Sequence, residues 1–224
     1  MNILALDSAT EACSVALMTG EGMLQQFEVI GRGHAEHLLP MMHSLLAESE
    51  ITLAQVDLFA YGAGPGSFTG IRIGAAMMQG LALANDRKLV AVSSLAALAC
   101  GHQGLVCSVI DARMEQVYCG LYELKQDGLP LAITDNRVLA PADVQLPNAG
   151  LVTVAGTGWD RYREVFMAMQ NDARTINGVD KQYPHAADIA RLAELEAEQG
   201  RAADPELALP HYVRDKVAKK MSEP

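Results

Sequence analysis

The chain has 224 residues, of which 50% are apolar, and a formal net charge of −10 at pH 7. This length and apolar content are sufficient for one large hydrophobic core or two small ones. Acidic residues outnumber basic ones 27 to 17, which argues against RNA binding by this chain alone, because phosphate contacts need clustered lysine and arginine. Since we find neither a run of about eighteen apolar residues nor a signal peptide, we expect a cytoplasmic protein that is not in the membrane.

Taken in chain order, the periodicity predicts two α/β lobes. Strands are predicted at 3–8, 12–18, 23–30, 57–61 and 89–92, and helices at 34–49, 69–85 and 95–100. A boundary follows near the glycines at 101–104. Beyond it, we predict paired strands at 105–110 and 116–124, mostly loop at 130–150, a strand at 152–155, and helices at 159–170 and 186–199. The predicted domains are therefore 1–102 and a smaller second lobe, 103–224.

The most informative segment joins a strand to a helix and reads Gly62-Ala-Gly-Pro-Gly-Ser-Phe-Thr-Gly70. Its glycines permit sharp turns and close backbone approach, and Ser67 or Thr69 is suited to cap the helix that follows. The free N–H groups of such a helix start favour an anion. A tight turn without a ligand explains the pattern equally well. Pro65 stands where a nucleophile elbow requires glycine, so Ser67 is a poor candidate for a hydrolase nucleophile.

An aspartate ends the first strand, in Ile3-Leu-Ala-Leu-Asp-Ser-Ala-Thr10, and a short hairpin follows. This arrangement resembles the first phosphate loop of the actin, hexokinase and sugar-kinase (ASKHA) superfamily. The resemblance implies a two-lobed ASKHA-like α/β fold with an abbreviated second lobe. Asp111, in Asp111-Ala-Arg113, takes the corresponding place in the second lobe, where it would face Asp7 across a cleft. For Asp7, a turn-capping role and a vestigial ligand role are both open.

Three segments together resemble the bacterial TsaB (YeaZ) family: Leu4-Ala-Leu-Asp-Ser-Ala-Thr10, Gly64-Pro-Gly-Ser-Phe-Thr-Gly-Ile-Arg-Ile-Gly74 and Ile110-Asp-Ala-Arg113. The resemblance covers nearly the whole chain. It implies a non-catalytic subunit of the machinery that makes threonylcarbamoyladenosine beside the anticodon of certain tRNAs. The implied partners are TsaD, which carries the transferase site, and the ATPase TsaE, with tRNA bound only through the complex. One departure is Gln116, where relatives usually have glutamate.

The same resemblance implies a weak nucleotide site that is either vestigial or shared with the partner. Its residues would be Asp7, Gly64, Gly66, Ser67, Thr69 and Gly70.

Residues needed for catalysis are missing. TsaD binds a metal through His-x-x-x-His, but the comparable positions here are Ser94 and Leu98, which cannot replace imidazole ligands. His34 and His37 share a helix face, yet no carboxylate trio accompanies them, which favours a surface or capping pair. We therefore expect no metal, no cofactor and no enzyme activity.

Two alternatives from another functional class stay open. The first is an ASKHA-type phosphotransferase, which Asp7 and the glycine loop favour. It is opposed by the missing Gly-Gly adenosine turn, for which Gly156-Thr-Gly158 is the nearest candidate. The second is a peptidase, which is opposed by the absent metal pair and the absent elbow.

Two predicted helices favour a partner surface. The segment 73–84 carries no charge, and a helix that is apolar all round must be covered on all sides. We expect it to form, with helix 34–49, a patch that makes a homodimer when the chain is alone and binds TsaD in the complex. The alternative is that the two helices cover only each other and the sheet. The predicted interface residues are Leu38, Met41, Met42, Leu45, Gly74, Met77, Met78 and Leu81.

The chain also has a basic tail, which is either a solvated terminus or an arm that contacts a partner or tRNA. Its basic residues are Arg214, Lys216, Lys219 and Lys220.

Overall fold

The computed structural model describes residues 1–125, 128–180 and 182–213. Its first lobe is built on a five-stranded sheet with the order β3-β2-β1-β4-β5. The central strand β1 is antiparallel to β2 and parallel to β4, so that Leu4 lies opposite Leu17 on one side and Phe59 on the other. The strands are β1 (Ile3–Asp7), β2 (Ala12–Thr19), β3 (Gly22–Val29), β4 (Leu58–Gly62) and β5 (Lys88–Val92).

Helices cover the first sheet, and this explains why all five residues of β1 are buried. Alternate β1 side chains point to opposite faces of the sheet. Leu4 and Leu6 pack with the helices α1 (His34–Glu48) and α2 (Phe68–Ala84). The short helix α3 (Ser94–Ala99) follows β5 and connects the first lobe to the second.

The second lobe has a six-stranded sheet in which β11-β10-β6-β7-β8 are neighbours and β9 also pairs with β7. Helix α4 (Thr157–Met167) packs on one face through Trp159 and Phe166. Leu95 and Leu98 of α3 pack on the other face, against Val106 and Ile110. The strands are β6 (Gly104–Asp111), β7 (Val117–Leu124), β8 (Pro130–Ala132), β9 (Arg137–Leu139), β10 (Gly150–Ala155) and β11 (Arg174–Gly178).

Helix α5 (Ala186–Glu198) belongs to the first lobe. Its residues Ile189 and Ala193 pack against Ile3 and Ala5, on the face of the sheet opposite α1 and α2. Farther on, Ala203 pairs with Leu89 of β5. The predicted domain 103–224 is therefore wrong in its second part, because the chain returns to the first lobe after β11. Sequence spacing gave no signal for this return.

The architecture confirms the predicted two-lobed α/β fold of the actin, hexokinase and sugar-kinase type with a smaller second lobe. The strands β8, β9 and β11 were not predicted, since each is short and lies at or near a sheet edge. Among the described residues, no helix combines the length and apolarity that a membrane span requires. The basic tail residues 214, 216, 219 and 220 lie outside the described residues.

Candidate functional site

A cleft of about 350 Å³ lies between the two lobes. The first lobe contributes the turn after β1 and the start of α2. The second lobe contributes the end of β6 and Tyr118, and residues 211–213 close one side. Burial lowers the pKa of His211 in that closing segment. The cleft therefore brings together the two segments that the sequence singled out, the glycine loop and the Asp111–Arg113 turn.

The glycine loop packs tightly against the turn that follows β1. A Cβ atom on Gly66 would lie 2.1 Å from the carbonyl oxygen of Ala9, and one on Gly70 would lie 2.0 Å from that of Ser8. The Ser67 N–H donates to the Ala9 carbonyl at 2.7 Å, and the Ser8 hydroxyl donates to the Gly70 carbonyl at 3.0 Å. Only glycine permits such an approach. Packing within the first lobe therefore accounts for these two glycines without any ligand.

The predicted nucleotide-site residues do not all face the cleft. Gly66 and Ser67 line it, whereas Gly64, Thr69 and Gly70 do not. Ser67 is the N-cap of α2, since its hydroxyl accepts the Gly70 N–H at 3.2 Å. Gly64 supplies a φ of 94°, which a side-chain-bearing residue rarely adopts. Thr69 is exposed on the first turn of α2.

Asp7 lies inside the first lobe and not in the cleft, with 1% of its surface exposed. Its carboxylate accepts the Ala9 N–H at 3.0 Å and the Ser94 hydroxyl at 2.9 Å. A Cβ on Gly62 would lie 1.8 Å from the same carboxylate. Burial raises the pKa of Asp7 to about 6, although both hydrogen bonds oppose this rise. This geometry is that of a turn-capping carboxylate, and the expectation that Asp7 faces Asp111 across the cleft is wrong.

An ion pair joins the two lobes at the cleft. Arg113 Nη2 lies 2.6 Å from Oε1 of Glu11 in the first lobe, and Nη1 lies 3.3 Å from Oδ2 of Asp111. Arg161 of α4 lies 3.7 Å from the same Asp111 oxygen. Asp111 is therefore held between two guanidinium groups. As a result, its carboxylate is poorly placed to act as a free acid or base.

The segment that carries Arg113 is a left-handed turn. Three successive side-chain-bearing residues, Arg113, Met114 and Glu115, have φ values of 60°, 53° and 58°. Each such residue costs roughly 1–2 kcal/mol relative to the right-handed conformation. The Gln116 N–H donates to the Arg113 carbonyl at 3.0 Å and closes the turn, so Gln116 contributes to this turn through its backbone.

The histidines and the expected metal positions have structural partners. His34 Nε2 lies 2.8 Å from the Thr10 carbonyl, and His37 Nδ1 lies 3.0 Å from a carboxylate oxygen of Glu28, so the two rings serve different contacts. Ser94 binds Asp7, and Leu98 is buried between the lobes. Within the described ranges, no group of three His, Cys, Asp or Glu side chains is arranged to hold a metal ion.

The predicted interface residues mostly face inward, which corrects the expected patch. Their apolar side chains fill the space between α1, α2 and the first sheet, as the hydrophobic effect demands of the more apolar helix face. Gly74 faces inward too, because a Cβ there would lie 2.7 Å from the Ser8 hydroxyl. The buried members are Leu38, Met41, Met42, Leu45, Gly74 and Met78, and the half-buried members are Met77 and Leu81.

The solvent-facing side of α2 was not identified from the sequence. We define the outer face of α2 by its exposed residues Phe68, Thr69, Arg72, Ala76, Gly80, Leu83 and Ala84. Phe68 and Leu83 are 50% and 69% exposed, which is high for large apolar side chains. Arg72 is the single charged residue of α2, and it lies over the Phe68 ring. The spacing of Phe68 and Arg72 by one helical turn is the signal that would have revealed this pair.

Comparison with known proteins agrees with this fold. A family model described as "TsaD: tRNA N6-adenosine threonylcarbamoyltransferase" matches residues 27–221. The Escherichia coli protein named "tRNA threonylcarbamoyladenosine biosynthesis protein TsaB" is 36% identical, over 97% of this chain and 96% of the relative. The solved structure of YeaZ from Pseudomonas aeruginosa has 42% identity and a TM-score of 0.85, covering 94% of this chain and 99% of that one.

A second Pseudomonas aeruginosa structure, described as similar to peptidase YEAZ, has 42% identity and a TM-score of 0.86, covering 95% of this chain and 99% of that one. The fold and the interlobe cleft define the class, a two-lobed α/β protein of the actin, hexokinase and sugar-kinase type. Within it, the chain belongs to the TsaB (YeaZ) family, and the match over 27–221 relates it to the family that the TsaD model describes.

Proposed function

We propose that this chain is a non-catalytic subunit that binds and activates a TsaD-type transferase in the synthesis of threonylcarbamoyladenosine in tRNA. The observation that carries the proposal is the near full-length relationship to a protein named for that biosynthesis, at 36% identity over 97% of the chain. TsaE and tRNA would join through the complex, since the formal net charge of −10 opposes tRNA binding by this chain alone.

The interlobe cleft supports a role other than catalysis. Its most prominent acid, Asp111, is paired with Arg113 and Arg161, and the buried Asp7 is occupied by two hydrogen bonds. Proton transfer needs a group that reaches the substrate with a suitable pKa. Neither carboxylate has this freedom, so a scaffold role explains the site better than a phosphotransferase or a peptidase.

The surface we propose for the partner is the outer face of α2, together with the exposed side of α1. Both helices lie on the same side of the first sheet. The exposed side of α1 includes Leu39, which is 47% exposed, and α2 contributes Leu83 at 69%. A partner on this surface would remove apolar area from water, and the same surface would bring together two copies when the partner is absent.

The experiment is sedimentation of this chain with a purified TsaD-type protein, followed by a tRNA modification assay with and without this chain. Leu83→Asp places a carboxylate on the outer face, and we expect it to weaken both the heterocomplex and self-association, because the charge would be buried without a partner. Leu151→Asp is a matched control, since Leu151 is 57% exposed and lies in β10 of the second lobe. Wild-type association by folded Leu83→Asp would place the interface elsewhere.

The modification assay tests activation separately from binding. We expect modification to need this chain and to fall with Leu83→Asp in parallel with binding. Full modification without this chain would refute the proposed activation. ATP hydrolysis or peptide hydrolysis by the purified chain alone, lost with Asp111→Asn, would instead favour the phosphotransferase or the peptidase.

A further inference from the structure

Arg72 contacts two exposed aromatic rings through its guanidinium group. Its guanidinium carbon lies 3.3 Å from the centroid of Phe68 and 4.9 Å from that of Tyr212. Phe68 is 50% exposed and Tyr212 is 53% exposed. Nη1 also donates to the Phe68 carbonyl at 3.2 Å. The guanidinium group is therefore held in one orientation on the first turns of α2.

The segment that carries the second ring, Tyr212, is itself held by the first lobe. The segment before Tyr212 is fixed because the His211 N–H donates to the Ala63 carbonyl at 2.8 Å. A few residues earlier, the Tyr61 hydroxyl and the Gln79 amide both donate to the Ala208 carbonyl, at 2.8 Å and 3.2 Å. The chain thus returns to α2 at a defined position. As a consequence, the stack is part of the folded lobe and is formed before any partner binds.

Most N–H donors of the Arg72 guanidinium have no acceptor within the described part of the chain. Arginine carries five N–H donors in a planar fork, and stacking on aromatic rings leaves the edges of that plane free. One donor goes to the Phe68 carbonyl. Over residues 1–125, 128–180 and 182–213, no carboxylate lies within ion-pair distance of Arg72. The fork is thus preorganised for an acceptor that the described part of the chain does not supply.

Any protein that covers the outer face of α2 would bury the Arg72 guanidinium, because Arg72 is exposed on that face. It is also the one charged residue of the helix. Burying a guanidinium without an anion is unfavourable, whereas a bidentate carboxylate repays the lost hydration. Arginine and tyrosine are also the residue types in which binding hot spots are enriched.

We propose that Arg72, in contact with Phe68 and Tyr212, is the anchor that binds an aspartate or glutamate side chain of the partner protein seated on the outer face of α2. This inference rests on the proposed function, because it names the chemistry of the partner at that surface. A protein carboxylate is favoured over the phosphates of RNA, since the net charge of −10 repels a polyanion.

The test is calorimetric titration of the chain with the TsaD-type protein at low and high salt. We expect Arg72→Gln to raise Kd by roughly 30-fold or more and Arg72→Glu to raise it further, as for a truncated charge pair in an interface. Arg72→Lys keeps the charge but loses the fork, and we expect an intermediate Kd. The matched control is Arg87→Glu, the same change at an exposed arginine just beyond α2. It is expected to leave Kd unchanged.

The outcomes separate this proposal from the proposed function. If Leu83→Asp weakens partner binding and Arg72→Gln does not, the anchor is refuted and the interface stands. If neither variant weakens it, the interface itself is refuted. If Arg72→Gln reduces self-association alone, the acceptor belongs to a second copy and the proposal fails. It also fails if the isolated chain binds a tRNA and Arg72→Gln abolishes that binding, because the acceptor is then phosphate.

Discussion

Asp7→Asn tests the buried carboxylate through the pH dependence of stability. The pKa of Asp7 rises from 3.8 to about 6 on folding, because the folded state removes the carboxylate from water. A folded pKa above the unfolded one means that the stabilisation is complete below pH 3.8 and is lost as the pH rises through about 6. The full effect of this shift is about 3 kcal/mol. Between about pH 4.5 and about pH 7.5, this shift lowers the free energy of unfolding by about 2 kcal/mol.

Asparagine has no such titration and can keep both contacts, with its oxygen accepting the Ala9 N–H and its amide donating to Ser94. We therefore expect Asp7→Asn to gain about 2 kcal/mol relative to wild type between about pH 4.5 and about pH 7.5. Urea unfolding followed by circular dichroism at a series of pH values measures this difference. Asp172→Asn is the control, since Asp172 is exposed. A constant difference between Asp7→Asn and wild type across the series would refute the reasoning.

Three further predictions concern stability and use the same unfolding assay. Gly70→Ala should cost about 1–3 kcal/mol, because its Cβ would meet a backbone carbonyl at 2.0 Å. Gly80→Ala, with nothing within 4 Å of its Cβ, should instead gain about 0.5–1 kcal/mol, and equal effects would contradict the packing argument. Arg174→Lys should cost about 1–3 kcal/mol, since the guanidinium donates to three backbone carbonyls that one ammonium cannot reach together; wild-type stability would refute this. A double-mutant cycle of Glu11→Gln and Arg113→Gln should give a coupling of about 0.2–1 kcal/mol, as expected for a partly exposed pair, and additivity would mean that the ion pair does not link the lobes.

The regular elements could be predicted because their signals are local. Apolar runs and the Ser67 cap located α1, α2 and the five strands of the first sheet to within a few residues. The direction of side chains across a layer is not local. Met42 and Met78 look the same in the sequence as an exposed methionine, yet the sheet beneath them buries both. The return of α5 to the first lobe depends on contacts between Ile189 and Ile3, which no local pattern encodes.

For the candidate site, too, the sequence indicates individual residues but not the partners that they contact. The sequence indicates Asp7, Ser67 and Asp111 as notable residues, but their respective partners Ser94, Ala9 and Arg161 come from other elements. The pattern of the glycine loop indicates a possible ligand site. The absence of a Cβ atom, however, also permits close contact between two backbone segments, as at Gly66 and Gly70. Sequence alone does not separate these two uses. The same limit applied to Arg72, whose second aromatic neighbour, Tyr212, is far away in the chain.

The position of α5 also has a consequence for synthesis on the ribosome. Ile3 and Ala5 are made first, but the helix residues that cover them, Ile189 and Ala193, are made roughly 180 residues later. Roughly 100 residues separate the end of β5 from Ile189, so at about 5–20 residues per second one apolar face of the first sheet is exposed for roughly 5–20 s after its last strand is made. The second lobe, whose sheet spans Gly104–Gly178, has its own core and can fold in that interval. The nascent chain therefore completes its inserted lobe before its first one.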